Sequence, residues 1–134
     1  MATGMFENGV NQIMNGNIDL VNATISCVLI DSDFYTPNLN TDAVQSSVPV
    51  AAQIAEVNLT GNELDGSTFR ADDTVFTSVT GAKVDALLIV ENTGDYNTSR
   101  LLHWIDDAAE FPITPDGTDI TIEWSSGSNG IFRL

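Results

Sequence analysis

The chain has 134 residues, 43% of them hydrophobic, so it fits a single domain spanning 1–134 with a core of its own and is not an intrinsically disordered polymer. Nineteen acidic residues against four basic ones leave a formal net charge of −15. The four cations, Arg70, Lys83, Arg100 and Arg133, are scattered, which argues against binding nucleic acid through its phosphates and against anionic membrane surfaces.

The chain opens with a helical stripe. Phe6, Val10, Ile13 and Met14 stand at i, i+4, i+7 and i+8, and Gly16 is placed to end the helix. The stripe is expected to pack on a sheet. From Ile18 the texture turns to β. Thr24 to Ile30 is a strand of apolar and β-branched residues, and Cys27, the single cysteine, is read as a buried thiol with no disulfide partner. A long polar stretch follows from Ser32 to Ser47, with Phe34-Tyr-Thr-Pro37 inside it and one helical turn expected at Thr41 to Gln45. A loop of that length is usually functional or an interface element.

Ala51 to Leu59 is the next strand, and Glu63 to Arg70 holds short strands around an Asp65-Gly66 turn. Asp73 to Thr77 is a further short strand. In Val84 to Val90 the second half is apolar on both faces, so this strand is expected at the centre of its sheet. Asn92 to Ser99 reads as a hairpin loop. In Arg100 to Asp106, strict alternation puts Leu102 and Trp104 on one face and Leu101, His103 and Ile105 on the other. The last twenty residues read as a terminal hairpin. Ile120, Ile122 and Trp124 alternate with Thr121 and Glu123, Gly127 and Asn129-Gly130 reverse the chain, and a final apolar strand carries Arg133, expected to pair with a nearby acid. One helix and seven to eight strands separated by turn signals predict a mainly β fold, a β-sandwich or barrel-like domain with a short N-terminal helix.

The chemistry-bearing residues form no recognised catalytic pattern. His103 is the single histidine and no nucleophile elbow accompanies it, so it is read as a sheet histidine. Asp31/Asp33, Asp72/Asp73 and Asp106/Asp107 are carboxylate pairs of the type a glycosidase uses, yet they fall at strand ends and turns, where Asp is favoured anyway. One Cys and one His cannot fill a zinc site. Abundant oxygen ligands leave a structural calcium open, without an EF-hand spacing to support it. No cofactor, catalytic or metal residues are assigned. The Asn-x-Ser/Thr matches at Asn22, Asn58 and Asn97 are attributed to composition. The N-terminus has no basic stretch followed by an apolar one, and the longest apolar run, Ala86 to Val90, is far short of a membrane span.

Several segments together resemble a family of small acidic virion proteins of tailed bacteriophages. They are the opening helix with Gly16 and Ile18-Asp-Leu20, Val28-Leu-Ile-Asp31 before Tyr35-Thr-Pro37, and Asn58-Leu-Thr-Gly61. Phe76-Thr-Ser-Val-Thr-Gly81 and Ala86-Leu-Leu-Ile-Val90 follow, then Thr114-Pro-Asp-Gly-Thr-Asp-Ile-Thr-Ile-Glu-Trp124 with Gly130-Ile-Phe-Arg-Leu134. The resemblance implies a structural, non-enzymatic role in the virion after synthesis in the host cytoplasm. It implies a decoration or cement protein that binds the major capsid protein, as a homotrimer. Phe34, Tyr35 and Pro37 of the long loop and Phe6 and Val10 of the helix are the expected contact residues. A tail, collar, baseplate or fibre-attachment subunit is the alternative within the particle. A carbohydrate-binding module, motivated by Tyr35 and Tyr96, and a small glycan hydrolase are the alternatives outside that class.

Overall fold

A computed structural model describes residues 3–108, 110–124 and 130–133. Among them are ten strands in three antiparallel sheets and one α-helix, a mainly β, sandwich-like fold that does not close into a barrel. The principal sheet has five strands in the order β1 (Gly4–Met5), β8 (Arg100–Ile105), β7 (Ala86–Glu91), β2 (Ile25–Ile30) and β3 (Gln53–Asn58). β7 is central, as its two-faced apolar run demands, and every residue of β2 is buried as well.

Each face of this sheet has its own core. On one side Ile25, Cys27 and Leu29 of β2 and Leu87 and Ile89 of β7 meet Phe69, Phe76, Ile120 and Phe132. Those four aromatic and aliphatic residues come from two smaller sheets, one ordered β10 (Phe132–Arg133), β5 (Thr68–Arg70), β4 (Glu63–Asp65), the other pairing β6 (Thr74–Phe76) with β9 (Ile120–Ile122). On the opposite side Val28, Ile30, Leu88 and Val90 meet Phe6, Tyr35, Val48, Ala52 and Trp104. Among the described residues no strand covers this second face; the long loop does.

Two sequence expectations are corrected here. The terminal segments do not pair with each other: β9 pairs β6, and β10 pairs β5. The reason lies at Gly130, whose φ is +52 and whose Cα sits so near β5 that a Cβ would lie 2.5 Å from the Phe69 carbonyl oxygen. Ile131 N–H then donates to that same oxygen at 2.8 Å and commits the chain to β5. Gly127 and Asn129 lie outside the described residues. The second correction is in β8. A bulge opposite Ile89/Val90 leaves Leu102 as the extra residue, so Leu102 joins the first core and Leu101 and Trp104 the second. Strict alternation places Leu102 with Trp104; the bulge separates them.

The helix α1 (Glu7–Met14) lies against the outer edge of β8 beyond β1. Its seat is made by Gly9, where a Cβ would lie 2.3 Å from the Leu101 carbonyl oxygen. Phe6 N–H donates to Leu102 O at 2.9 Å, and the Phe6 ring is fully buried. Met14, expected on the packed face, is instead 77% exposed. The stop at Gly16 is as expected: φ is +79, Asn17 N–H reaches Gln12 O, and Gly16 N–H reaches Ile13 O, the paired bonds of a Schellman turn.

Candidate interaction surface

The long loop is a fixed structure. Asp31 N–H bonds Ala52 O, and Ser32 donates both its N–H (2.8 Å) and its hydroxyl (2.5 Å) to the Asp85 carboxylate. Lys83 closes this corner from outside, 2.9 Å from Asp33, 3.3 Å from Asp85 and 3.9 Å from the buried Asp31. The bond to Asp33 raises the Lys83 pKa. Partial burial pulls the Asp85 carboxyl upward, but hydrogen bonds from Ser32 and Lys83 outweigh it and hold the group below the ordinary carboxylate range. Further along, Tyr35 donates its hydroxyl to Asp42 at 2.5 Å and packs edge-on against Trp104. Burial first, then the bond to Asp42, push the Tyr35 pKa up.

The helical turn expected at Thr41 to Gln45 forms later, as a 3-10 turn over Gln45–Ser47. Gln45 is wholly buried, because its backbone N–H is taken by Ser99 O and its side-chain amide donates to Gln53 at 2.9 Å and Glu56 at 3.0 Å. Ser26 donates to the other Glu56 oxygen at 2.6 Å. This polar cluster fastens the loop to β2 and β3.

The expected contact residues therefore divide. Phe6 and Tyr35 are spent inside the second core and cannot face a partner, because packing against Val28, Leu88 and Trp104 consumes them. Val10 and Pro37 are half-buried. Phe34 alone of the five is an open apolar side chain, 54% exposed, on the turn that Ser32 and Lys83 pin. Val50, 74% exposed, stands on the other side of the Asp31–Ala52 backbone bond. Val50 was not singled out in the sequence, where it stands one residue ahead of the strand expected from Ala51.

β3 adds a second surface. No other described strand pairs with its outer side. Leu59 N–H donates to Ile25 O, and the alternation then turns the backbone groups of Val57 and Ala55 toward β2 and those of Glu56 and Asn58 away from it. An uncovered edge of this kind is a template for another strand.

The remaining chemistry-bearing residues hold the fold. Asp73 accepts the Trp124 backbone N–H, Asp106 accepts Trp104 Nε1, and Asp31 accepts the Asp33 N–H. Among the described residues no group of three or more Cys, His, Asp or Glu is arranged to hold a metal. In the Asp31, Asp33 and Asp85 corner the Lys83 ammonium is the cation shared by the three carboxylates. His103 is buried beside the Phe132 ring, and burial lowers its pKa to about 4 against the weaker pull of its bond with the Gly4 backbone. Cys27 is fully buried, as expected; burial and then the Glu56 charge raise its pKa. Arg133 donates to the Ser67 hydroxyl at 3.2 Å, where an acid was expected. No helix among the described residues is long and apolar enough to cross a membrane. A comparison with models of known protein families finds no match for this chain.

Proposed function

We propose that this chain is a structural protein of a tailed-bacteriophage particle, a decoration protein that docks as a homotrimer on the outside of the major capsid lattice and stabilises it. The observation that carries the reading is the disposition of charge. Three of the four cations are already tied to carboxylates: Arg70 to Asp65 at 3.6 Å, Arg100 to Glu91 at 3.6 Å, and Lys83 to its three aspartates. What remains outward is mostly carboxylate, on a chain whose formal net charge is −15, suited to a basic partner and to steering onto it. On that surface Phe34, on the turn that Ser32 and Lys83 pin, and Val50, at the start of the Val50–Ala52 turn, are exposed apolar side chains, and the outer β3 edge supplies backbone hydrogen bonds.

A protein that binds only the expanded lattice stabilises it by mass action. The experiment is co-sedimentation of purified protein with expanded capsids stripped of it. Saturable binding that weakens with added salt is expected, and Phe34→Asp should reduce it. Failure to bind the expanded capsids of its own phage overturns the reading. A tail, collar or baseplate subunit would share this surface chemistry and differs from a decoration protein in copy number.

A further inference from the structure

Where the principal sheet meets the β6–β9 pair, a cleft of about 320 Å³ opens at the boundary of the first core. Its floor is the cross-strand pair Leu87 and Ile105. Phe111 and Ile113 line it from one stretch of the chain, and Ile122 and Trp124 from another. Both stretches are fastened. Ile113 exchanges two backbone hydrogen bonds with Val84, at 2.8 and 2.7 Å. Trp124 is held at its backbone N–H by Asp73 and at its indole Nε1 by Thr74, each at 3.1 Å. All these side chains except Leu87 keep partial contact with solvent. Two carboxylates, Glu110 and Glu123, stand at the rim. Neither has an ion-pair partner among the described residues, since Arg70, Lys83 and Arg100 bind other acids and Arg133 binds Ser67.

We infer that this cleft receives a lysine or arginine side chain of a partner protein, its methylene stem lying between Phe111 and Trp124 and its charge between Glu110 and Glu123. The occupant follows from the chemistry of the lining. An anion is repelled by the two carboxylates. A neutral apolar group fills the floor but takes water from the carboxylates without giving them a partner. A cation on an apolar stem meets both demands: its stem covers the aliphatic and aromatic lining, and its head gains the two carboxylates. The volume, at the low end for ligand sites, suits a side chain better than a large cofactor. This inference stands on the cleft alone and does not require a virion role.

The test uses Trp124 as reporter, with Trp124→Phe as the control that isolates the signal of the buried Trp104 so that it can be subtracted. Hexylammonium, hexanol and hexanoate are titrated, followed by the tripeptide amides Ac-Ala-Arg-Ala and Ac-Ala-Gln-Ala. Saturable binding is expected for hexylammonium and for the Arg peptide, with hexanol weaker and hexanoate and the Gln peptide undetected. Glu110→Gln with Glu123→Gln, both on exposed side chains, should weaken hexylammonium by up to about tenfold, from two solvent-exposed ion pairs, and leave hexanol unchanged. Equal binding of hexanol and hexylammonium, or no saturable binding of either, overturns the inference. Binding of hexylammonium without the Arg peptide overturns the assignment to a partner's side chain.

Discussion

Replacing Gly9 with alanine sets two effects of opposite sign against each other. Helix propensity alone favours alanine over glycine by about 1 kcal/mol in a helix interior. Packing opposes it. The new Cβ would lie 2.3 Å from the Leu101 carbonyl oxygen, 3.1 Å from Leu102 Cα and 3.2 Å from Leu102 Cδ2. The first two of these atoms are backbone of β8 and cannot rotate away. Relieving the contact needs a displacement of roughly 1 Å between helix and strand, on the scale of a carbon–oxygen van der Waals contact. That displacement strains the 2.9 Å bond from Phe6 N–H to Leu102 O and lifts the fully buried Phe6 ring. Overpacking of this kind costs about 2–3 kcal/mol, so the net loss is about 1–2 kcal/mol after the propensity gain. Urea unfolding followed by circular dichroism and tryptophan fluorescence reads it directly, and a fall in Tm of about 3–8 °C should accompany it. Gly16→Ala separates the causes: nothing lies within 4 Å of its Cβ, so its loss comes from the φ of +79 alone and needs no helix displacement. A Gly9→Ala protein as stable as the parent, or more so, would refute the seat of α1 on β8.

His103 gives a pH dependence with a defined sign. Its pKa is lowered from 6.5 to about 4 in the folded chain, so between those values the unfolded chain binds a proton that the folded chain refuses. Stability should therefore fall as pH drops from about 6.5 to about 4, by at most about 3 kcal/mol, and the contribution should level off below that. His103→Leu should flatten urea midpoints across this window; an unchanged slope would show that another group is responsible. Cys27, fully buried with its thiol pKa raised, should react with a disulfide reagent only at the rate of structural opening, and at once in denaturant. Fast labelling of the native protein would contradict its burial between β3 and β7.

The sequence announced the strands whose signals are local. The second half of Val84 to Val90 has no polar face, and the strand it belongs to is central; the Asp65-Gly66 turn, with Gly66 at φ +63, joins β4 to β5. What could not be read depended on contacts between distant segments. The β8 bulge inserts Leu102 without any marker residue, so the parity of Leu101 to Trp104 was unreadable from alternation. The terminal segments carry good hairpin signals, yet Gly130 fits only against Phe69, sixty-one positions earlier in the chain. Composition marked residues 32–47 as a polar loop. Tyr35, Leu39 and Val48, at irregular spacing, nonetheless roof half the sheet. For the same reason Phe34 is exposed while Phe6 and Tyr35, expected at the surface with it, are buried: type and position identify an aromatic, and only packing decides whether it faces inward. The cleft draws Leu87, Ile105, Phe111, Ile113, Ile122 and Trp124 from four separate stretches, and no window of sequence contains it.

The claim of a decoration role is tested most directly by counting this chain in purified particles, by quantitative mass spectrometry against the major capsid protein. A decoration protein on the capsid lattice is present in hundreds of copies per particle, in fixed ratio to the capsid subunit. A few to a dozen copies, or none, would contradict the account.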